Sequence, residues 1–197
     1  RLVAALVVTS VAVRLTIGAA APALALNEAE ARTLITASLN DVNAAIASGK
    51  SGAALYSAFE RIFSKYADVP IIAQSALGLA ARQATPAQMR AYTEAYRGYL
   101  ARKYGRRFNE FDGARFEVVS SRPVKSYFEV KSNAFLKGKS PFEVLWHVSN
   151  KSGKNLFFNI IIEGVNMLAS ERSEIGAMLD KRKGNIDALI ADLKAAG

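Results

Sequence analysis

Apolar positions recur every three to four residues through the first half of the chain, and at alternate residues through much of the second half. The first spacing predicts amphipathic helices, and the second predicts strands with one buried face. Asn27 is suited to cap a helix reaching about Ile46, with Ala31, Leu34, Ile35, Leu39, Val42 and Ile46 on one side. The run Ser48-Gly49-Lys50-Ser51-Gly52 ends it. A second helix extends to about Lys65 and presents Leu55, Phe59, Ile62 and Phe63. Asp68 caps a short third helix, with Pro70 near its start, that stops around Gly78. A fourth, longer helix is predicted over 86–108. Thr85 supplies its N-cap, Pro86 takes the first helical position, and Gln88 stands where a capping box wants Glu or Gln. One face of it carries Met89, Tyr92, Tyr96, Tyr99 and Tyr104.

After Gly113 the rhythm changes to alternation. Phe116 and Val118 open a first strand. Arg122-Pro123 marks a turn, after which Phe128 and Val130 continue the pattern. Gly138-Lys139-Ser140-Pro141 precedes a third strand through Val144, Trp146 and Val148. Asn150-Lys151-Ser152-Gly153-Lys154 is a hairpin turn, and Phe158, Ile160 and Ile162 lie on a fourth strand. From Val165 the chain is predicted helical to about Lys183, and Gly184-Asn185 introduces a last helix over 186–195. Four helices, an antiparallel meander and two helices make an α+β layout. Alternation places Phe116, Val118, Phe128, Val130, Val144, Trp146, Phe158, Ile160 and Ile162 on one sheet face. The tyrosine stripe, Val69 and Ile72 are the material to cover it.

The N-terminus stands apart from this pattern. Arg1 is followed by an unbroken run of apolar and small residues from Leu2 to Val13, and Ala23-Leu24-Ala25 puts small residues where a signal peptidase needs them. Residues 1–25 are therefore expected to be a cleaved export signal, Sec or twin-arginine, with the mature protein beginning at Leu26. Arg14 interrupts the run and disfavours a retained anchor.

The chain has 197 residues, no cysteine and a net charge of +9. An exported domain without disulfides must stand on its core alone. The basic balance suits an anionic surface, and export argues against nucleic acid as that surface. Arg102, Lys103, Arg106 and Arg107 form one basic group, and Lys137 with Lys139 a second. Lys151 with Lys154 and Lys181-Arg182-Lys183 are others.

Catalytic signatures are missing. Gly49-Lys50-Ser51 and Gly138-Lys139-Ser140 end like phosphate-binding loops, but Ala44 and Asn133 stand where the first glycine is required. No serine lies in a nucleophile elbow. His147, the single histidine, cannot build an ordinary zinc site alone. It alternates out of phase with Val144, Trp146 and Val148, which predicts a surface or second-layer position. The acid pairs Glu28/Glu30 and Glu171/Glu174 are expected on solvated helix faces.

Two blocks carry a family resemblance. The stretch from Ala84-Thr85-Pro86-Ala87-Gln88-Met89 to Tyr104 resembles the long helix of the MlaC family. Trp146 and the run Asn159-Ile160-Ile161-Ile162-Glu163-Gly164-Val165-Asn166-Met167 resemble that family's last strand and its "EGVS" turn. With the final helix, the resemblance spans nearly all of the chain beyond the export segment. MlaC-like proteins are periplasmic phospholipid-binding proteins of the Mla lipid-transport system, often labelled toluene-tolerance proteins.

The resemblance implies a single domain over 26–197, not an enzyme. Its fold would be a four-stranded antiparallel sheet, an NTF2-like cone, packed on a multi-helix subdomain around an apolar pocket. It implies a monomeric periplasmic shuttle, with no cofactor beyond phospholipid as cargo. Its partners would be an outer-membrane lipoprotein complex and an inner-membrane ABC transporter complex, serving outer-membrane lipid asymmetry. Acyl chains would lie against the sheet face above and against Val69, Ile72, Tyr92, Tyr96 and Tyr99. The groups around Arg102–Arg107 and Lys137/Lys139 would meet membrane or partner. Two positions depart from the family: Asn155, where tryptophan is frequent, and Asn159, where aspartate is common. Other possibilities stay open. They are a carrier of another lipid such as a hopanoid, a basic membrane-surface module without a cavity, and an enzyme on the same scaffold. The last would need titratable groups on the concave face, where the pattern places almost none.

Overall fold

Reciprocal side-chain caps set the starts of the main helices in the computed structural model, which describes residues 26–106 and 114–196. The expected export segment, Arg107 and the predicted end of the fourth helix lie outside the described residues. Helix α1 (Glu28–Ala47) opens on a capping box, with Glu30 N donating to Asn27 Oδ1 at 2.9 Å and Asn27 N to Glu30 Oε2 at 3.1 Å. Helix α2 spans Gly52–Tyr66, and α3 spans Val69–Leu77 and continues as a 3-10 turn over Gly78–Arg82. The long helix α4 (Pro86–Gly105) has the predicted box, with Gln88 N donating to Thr85 Oγ1 at 3.2 Å and Thr85 N to Gln88 Oε1 at 3.0 Å.

The strands are β1 (Arg115–Val124), β2 (Tyr127–Phe135), β3 (Phe142–Ser149), β4 (Leu156–Ile162) and β5 (Val165–Asn166). They form one antiparallel sheet in chain order. The sheet has five strands where four were expected. Glu163 and Gly164 both take positive φ, 49° and 80°, and this two-residue turn folds Val165 back opposite Ile162 before the helix starts. At the other end, β1 runs straight through Arg122-Pro123. The turn comes instead at Lys125-Ser126, with Lys125 at φ 50°. Pro123 is tolerated because β1 is an edge strand.

A bulge in β4 changes which face one aromatic serves. Trp146 opposes Ile160 and His147 opposes Asn159, but Val148 opposes Phe157, so Phe158 is the extra residue. Phe157 takes the core position, edge-on to Trp146 with centroids 5.4 Å apart. The Phe158 ring instead packs with Tyr127 at 5.5 Å and His147 at 5.7 Å, on the other face of the sheet. Phe157 is also pinned from outside the sheet, since Asp68 N donates to its carbonyl at 2.8 Å.

Helices α5 (Met167–Lys181) and α6 (Ile186–Ala195) start on Asn166 and Asn185, whose side chains accept from Ala169 N and Ala188 N. Helix α1 lies across β1, β2 and β3; α4 packs against α2 and α6, and α5 against α3 and β4. The helix-facing side of the sheet is thus covered unevenly. Under α1 it is solid, with Val130, Ser132 and Ala134 fully buried. Towards β3 and β4 it is not.

Candidate functional site

Where α1 stops covering the sheet, an apolar cavity of about 700 Å³ opens between β3–β4 and helices α2, α4 and α5. That size falls in the range of about 300–1,000 Å³ typical of ligand sites. Its walls follow from local sequence pattern. Phe59, Ile62 and Phe63 come from one stripe of α2, and Tyr96, Leu100 and Tyr104 from one stripe of α4. Trp146, Phe157, Ile160 and Ile162 form the floor. The indole of Trp146 is held in place by its Nε1–H, which donates to Ser132 Oγ at 2.9 Å. With its polar atom satisfied at the back, the ring offers only carbon to the hollow. Lys139, Ser140, Glu163 and the 54% exposed Val165 border the cavity from the two hairpin turns nearby. A second hollow of about 480 Å³, beside the start of α1, is more open and is lined by Asn27, Glu30 and Thr33 among others. The larger hollow, the less open of the two, is the better site for a hydrocarbon ligand.

The α4–α5 wall carries the cavity's buried charge. Lys103 Nζ donates to Glu171 Oε1 at 2.7 Å and to Glu174 Oε2 at 2.5 Å. The Tyr104 hydroxyl donates to Glu171 and the Tyr99 hydroxyl to Glu174. Burial works against ionising Glu174, but the hydrogen bonds from Lys103 and Tyr99 outweigh it and hold the carboxyl below its ordinary value. Burial and the bond to Glu174 push the Tyr99 phenol up to about 12. Tyr92, Tyr96 and Tyr104 are raised further, first by burial and then by the nearby charge of Glu171.

Among the residues picked from sequence, Ile72, Tyr96, Trp146, Phe158, Ile160 and Ile162 border the cavity. Val69, Tyr92, Tyr99, Phe116, Val118, Phe128, Val130 and Val144 are outside it and pack into or against the closed core. Phe158 reaches the border at the bulge, with its ring turned to the other face. The stripe on α4 splits: Tyr92 and Tyr96 stack at 5.6 Å with both hydroxyls buried, so these rings do not stand at a wet mouth. The basic groups also divide. The Arg102 guanidinium is used inside the fold, donating to Leu193 O at 2.6 Å and Ala196 O at 2.9 Å at the end of α6. Lys103 is held by its two glutamates. Arg106, Lys137 and Lys139 are exposed, and Arg107 is outside the described residues.

Glu171 overturns the expectation of a solvated acid pair, because it is 4% exposed and lines the cavity, while Glu174 stays at the surface. His147 is buried, not superficial. Its Nε2 lies 3.3 Å from Glu129 Oε2, and its Nδ1 lies 3.4 Å from Asn159 Nδ2. Asn159 Oδ1 accepts from Ile160 N and Leu168 N, so this uncharged side chain ties β4 to the first turn of α5. The group has no nucleophile and reads as a joint. Sequence reasoning had noted Phe59, Ile62 and Phe63 as an apolar stripe without assigning them to the cavity. Among the described residues no acidic, His or Cys cluster could hold a metal, and no helix is long and apolar enough to cross a membrane.

Fold and cavity together define a small α+β protein built to enclose an apolar ligand between a meander sheet and a helical layer. A family model described as MlaC protein matches residues 33–195, and the chain belongs to the MlaC family. Among solved structures it is similar to a phospholipid-binding protein from Ralstonia solanacearum, determined in complex with a phospholipid. The two share 19% identity over 84% of this chain and 95% of that one, with a TM-score of 0.69. At that identity the likeness is one of fold.

Proposed function

We propose that this protein is a periplasmic phospholipid carrier that holds acyl chains in the cavity and performs no covalent chemistry. The observation that carries the proposal is the apolar hollow of about 700 Å³, walled by aromatic and branched side chains from strands β3 and β4 and helices α2, α4 and α5. Membership of the MlaC family supports it. So does the structural neighbour, which was solved with a phospholipid bound. The physics sets the need. Each methylene moved into water costs about 0.8 kcal/mol, so one long acyl chain costs on the order of 10 kcal/mol. A carrier replaces that hydrocarbon environment and still releases the chain, which a cavity without a covalent step permits. In this account residues 1–25 direct export, residues 26–197 are the carrier domain, and the exposed Lys137 and Lys139 meet an anionic membrane or a transporter partner. The cargo passes between an outer-membrane lipoprotein complex and an inner-membrane ABC transporter complex.

The test is transfer between vesicles. Donor vesicles carry a self-quenched fluorescent phospholipid, and acceptor vesicles are unlabelled. The protein is expected to raise the dequenching rate in proportion to its concentration. A rate equal to that of vesicles alone, with properly folded protein, would contradict the proposal.

A further inference from the structure

The three helices that wall the cavity are backed differently. Helix α4 has α6 behind it, and α5 is seated on α3 and β4. Helix α2 packs sideways on α1 and α4, and its outer side, with Ser57, Arg61, Ser64 and Lys65, is exposed. Its two ends are also held differently. At the carboxy-terminal end Tyr66 and Ala67 belong to the main core. There Tyr66 Oη donates to Asp41 Oδ2 at 2.7 Å, and Asp68 N, just beyond the helix, donates to Phe157 O at 2.8 Å. Towards the amino-terminal end Leu55, Ala58 and Phe59 form a small cluster with Ala45 of α1, distinct from the main core. The exposed link from α1 turns on Gly49 and Gly52, at φ 67° and 53°, and Ser51 caps α2 without a side-chain hydrogen bond. A helix pinned at one end and joined through glycines at the other can pivot about the pinned end.

The capacity of the cavity gives that pivot a use. A methylene occupies about the room of a water molecule, about 30 Å³, so a hollow of about 700 Å³ holds about 23 of them. One acyl chain of about 16–18 carbons fits, and two do not. We propose that α2 is an adjustable wall that sets how many acyl chains the cavity admits. The proposal rests on the carrier function above. With α2 in its present place against α4 the protein takes a single-chain lipid. With the free part of α2 swung away from α4 it takes a diacyl phospholipid. Arg97 supplies the latch. Its Nε donates to Glu60 Oε1 across the two helices at 2.9 Å, while its Nη2 donates to Glu94 Oε2 on its own helix at 2.5 Å. Opening therefore releases Glu60 into water and leaves Arg97 paired, so no charge is stranded in the protein. The Glu60–Arg97 pair is partly exposed, which keeps the latch weak enough to open. Nearer the glycine link, Tyr56 fits against Gly105, where a Cβ would stand 2.5 Å from the ring. Both contacts lie ahead of the pinned end, so both part when α2 swings.

The experiment staples α2 to α4. The chain has no cysteine, so an engineered pair meets no other thiol. A Cβ on Gly105 lies 3.6 Å from Tyr56 Cγ, which puts the pair Tyr56→Cys and Gly105→Cys within a disulfide's Cβ–Cβ reach of about 3.5–4.5 Å. The delipidated double variant, oxidised or reduced, is offered dioleoyl phosphatidylglycerol in vesicles or monomeric oleoyl lysophosphatidylglycerol. Bound lipid is read by native mass spectrometry. The reduced form is expected to take both. The oxidised form should take the lysolipid equally well and lose the diacyl lipid by about tenfold or more, since even two methylenes left in water weaken binding by about that factor. Reducing the same sample should restore it. An oxidised form that loads diacyl lipid like the reduced one, or that loses both lipids alike, would overturn the proposal. If the bond does not form, or the reduced variant takes no diacyl lipid, Glu60→Gln carries the test. It keeps the shape, weakens the latch, and should speed release of the diacyl lipid several-fold while release of the lysolipid is unchanged. Equal effects on the two lipids, or none, would overturn the adjustable wall and leave the carrier standing. Wild-type protein that takes up neither lipid would sink the carrier function itself.

Discussion

Val130 and Ile160 flank Trp146 on the same face of the sheet, one strand to either side. Strand alternation treats them alike, but the structure does not. Val130 is completely buried in packed core, whereas Ile160 is half-buried and borders the cavity. Replacing each by tryptophan therefore separates a solid core from a hollow one. At Val130 the indole has no space, and overpacking costs about 1–3 kcal/mol or more. For a chain of this size that lowers the melting temperature by roughly 2–12 °C. At Ile160 the indole can extend into the hollow and occupy the room of about three methylenes. At about 0.8 kcal/mol each that is about 2.4 kcal/mol of lost lipid binding, or roughly 50-fold in affinity. The assay is thermal unfolding of delipidated Val130→Trp, Ile160→Trp and wild type, since bound lipid would itself raise the transition. Lipid uptake from vesicles is then measured for each. The expected result is an Ile160→Trp protein with near wild-type stability and poor uptake, beside a destabilised Val130→Trp. Equal destabilisation of both, with uptake unaffected in Ile160→Trp, would refute the distinction between filled and empty halves of the sheet face.

Other outcomes follow from single contacts. Arg102→Ala removes the donor to the last carbonyls of α6 and is expected to cost about 1.5–3 kcal/mol, seen in chemical denaturation, with the transfer rate per loaded protein unchanged. Gly105→Ala would put a methyl 2.5 Å from the ring of Tyr56, where α4 crosses α2, and should cost about 1–3 kcal/mol by the same measurement. Burial holds His147 below its ordinary 6.5 despite the opposing bond to Glu129, so the unfolded chain binds the proton more readily. Its contribution is present above pH 6.5 and is lost as pH falls towards the folded value. Denaturation midpoints should drop between pH 7.5 and 5.5, and His147→Gln should flatten that part of the profile. Reversing Lys137 and Lys139 to glutamate should slow transfer to anionic vesicles at low salt while leaving bound lipid in place, and the difference should shrink as salt is raised.

What the sequence revealed of the fold is what local chemistry decides. Asn27 with Glu30 and Thr85 with Gln88 close their boxes within one turn, so the starts of α1 and α4 were readable to the residue, whereas α5, expected from Val165, begins at Met167 after the short strand β5. The meander was readable as well, because each strand neighbours the next in the chain. Features that depend on distant partners were not. Glu171 finds Lys103 and Tyr104 more than sixty residues away, which turns an apparently solvated acid into a cavity wall. Arg102 finds the end of α6 at a separation of over ninety residues. The bulge at Phe158 left no mark on the alternation, since Phe157 and Phe158 are the same residue type and either could fill the core position. The hollow itself was expected from family resemblance alone. Apolar spacing tells which face is buried, and the depth left under α2 and α4 depends on where α1 stops.

The central claim is that the cavity holds a phospholipid, and native mass spectrometry of the gently purified protein tests it most directly. The account predicts a species heavier than the bare chain by the mass of a phospholipid, which fragments to release acyl chains and a phosphate-bearing headgroup. The bare chain alone, even after incubation with phospholipid vesicles, would contradict it.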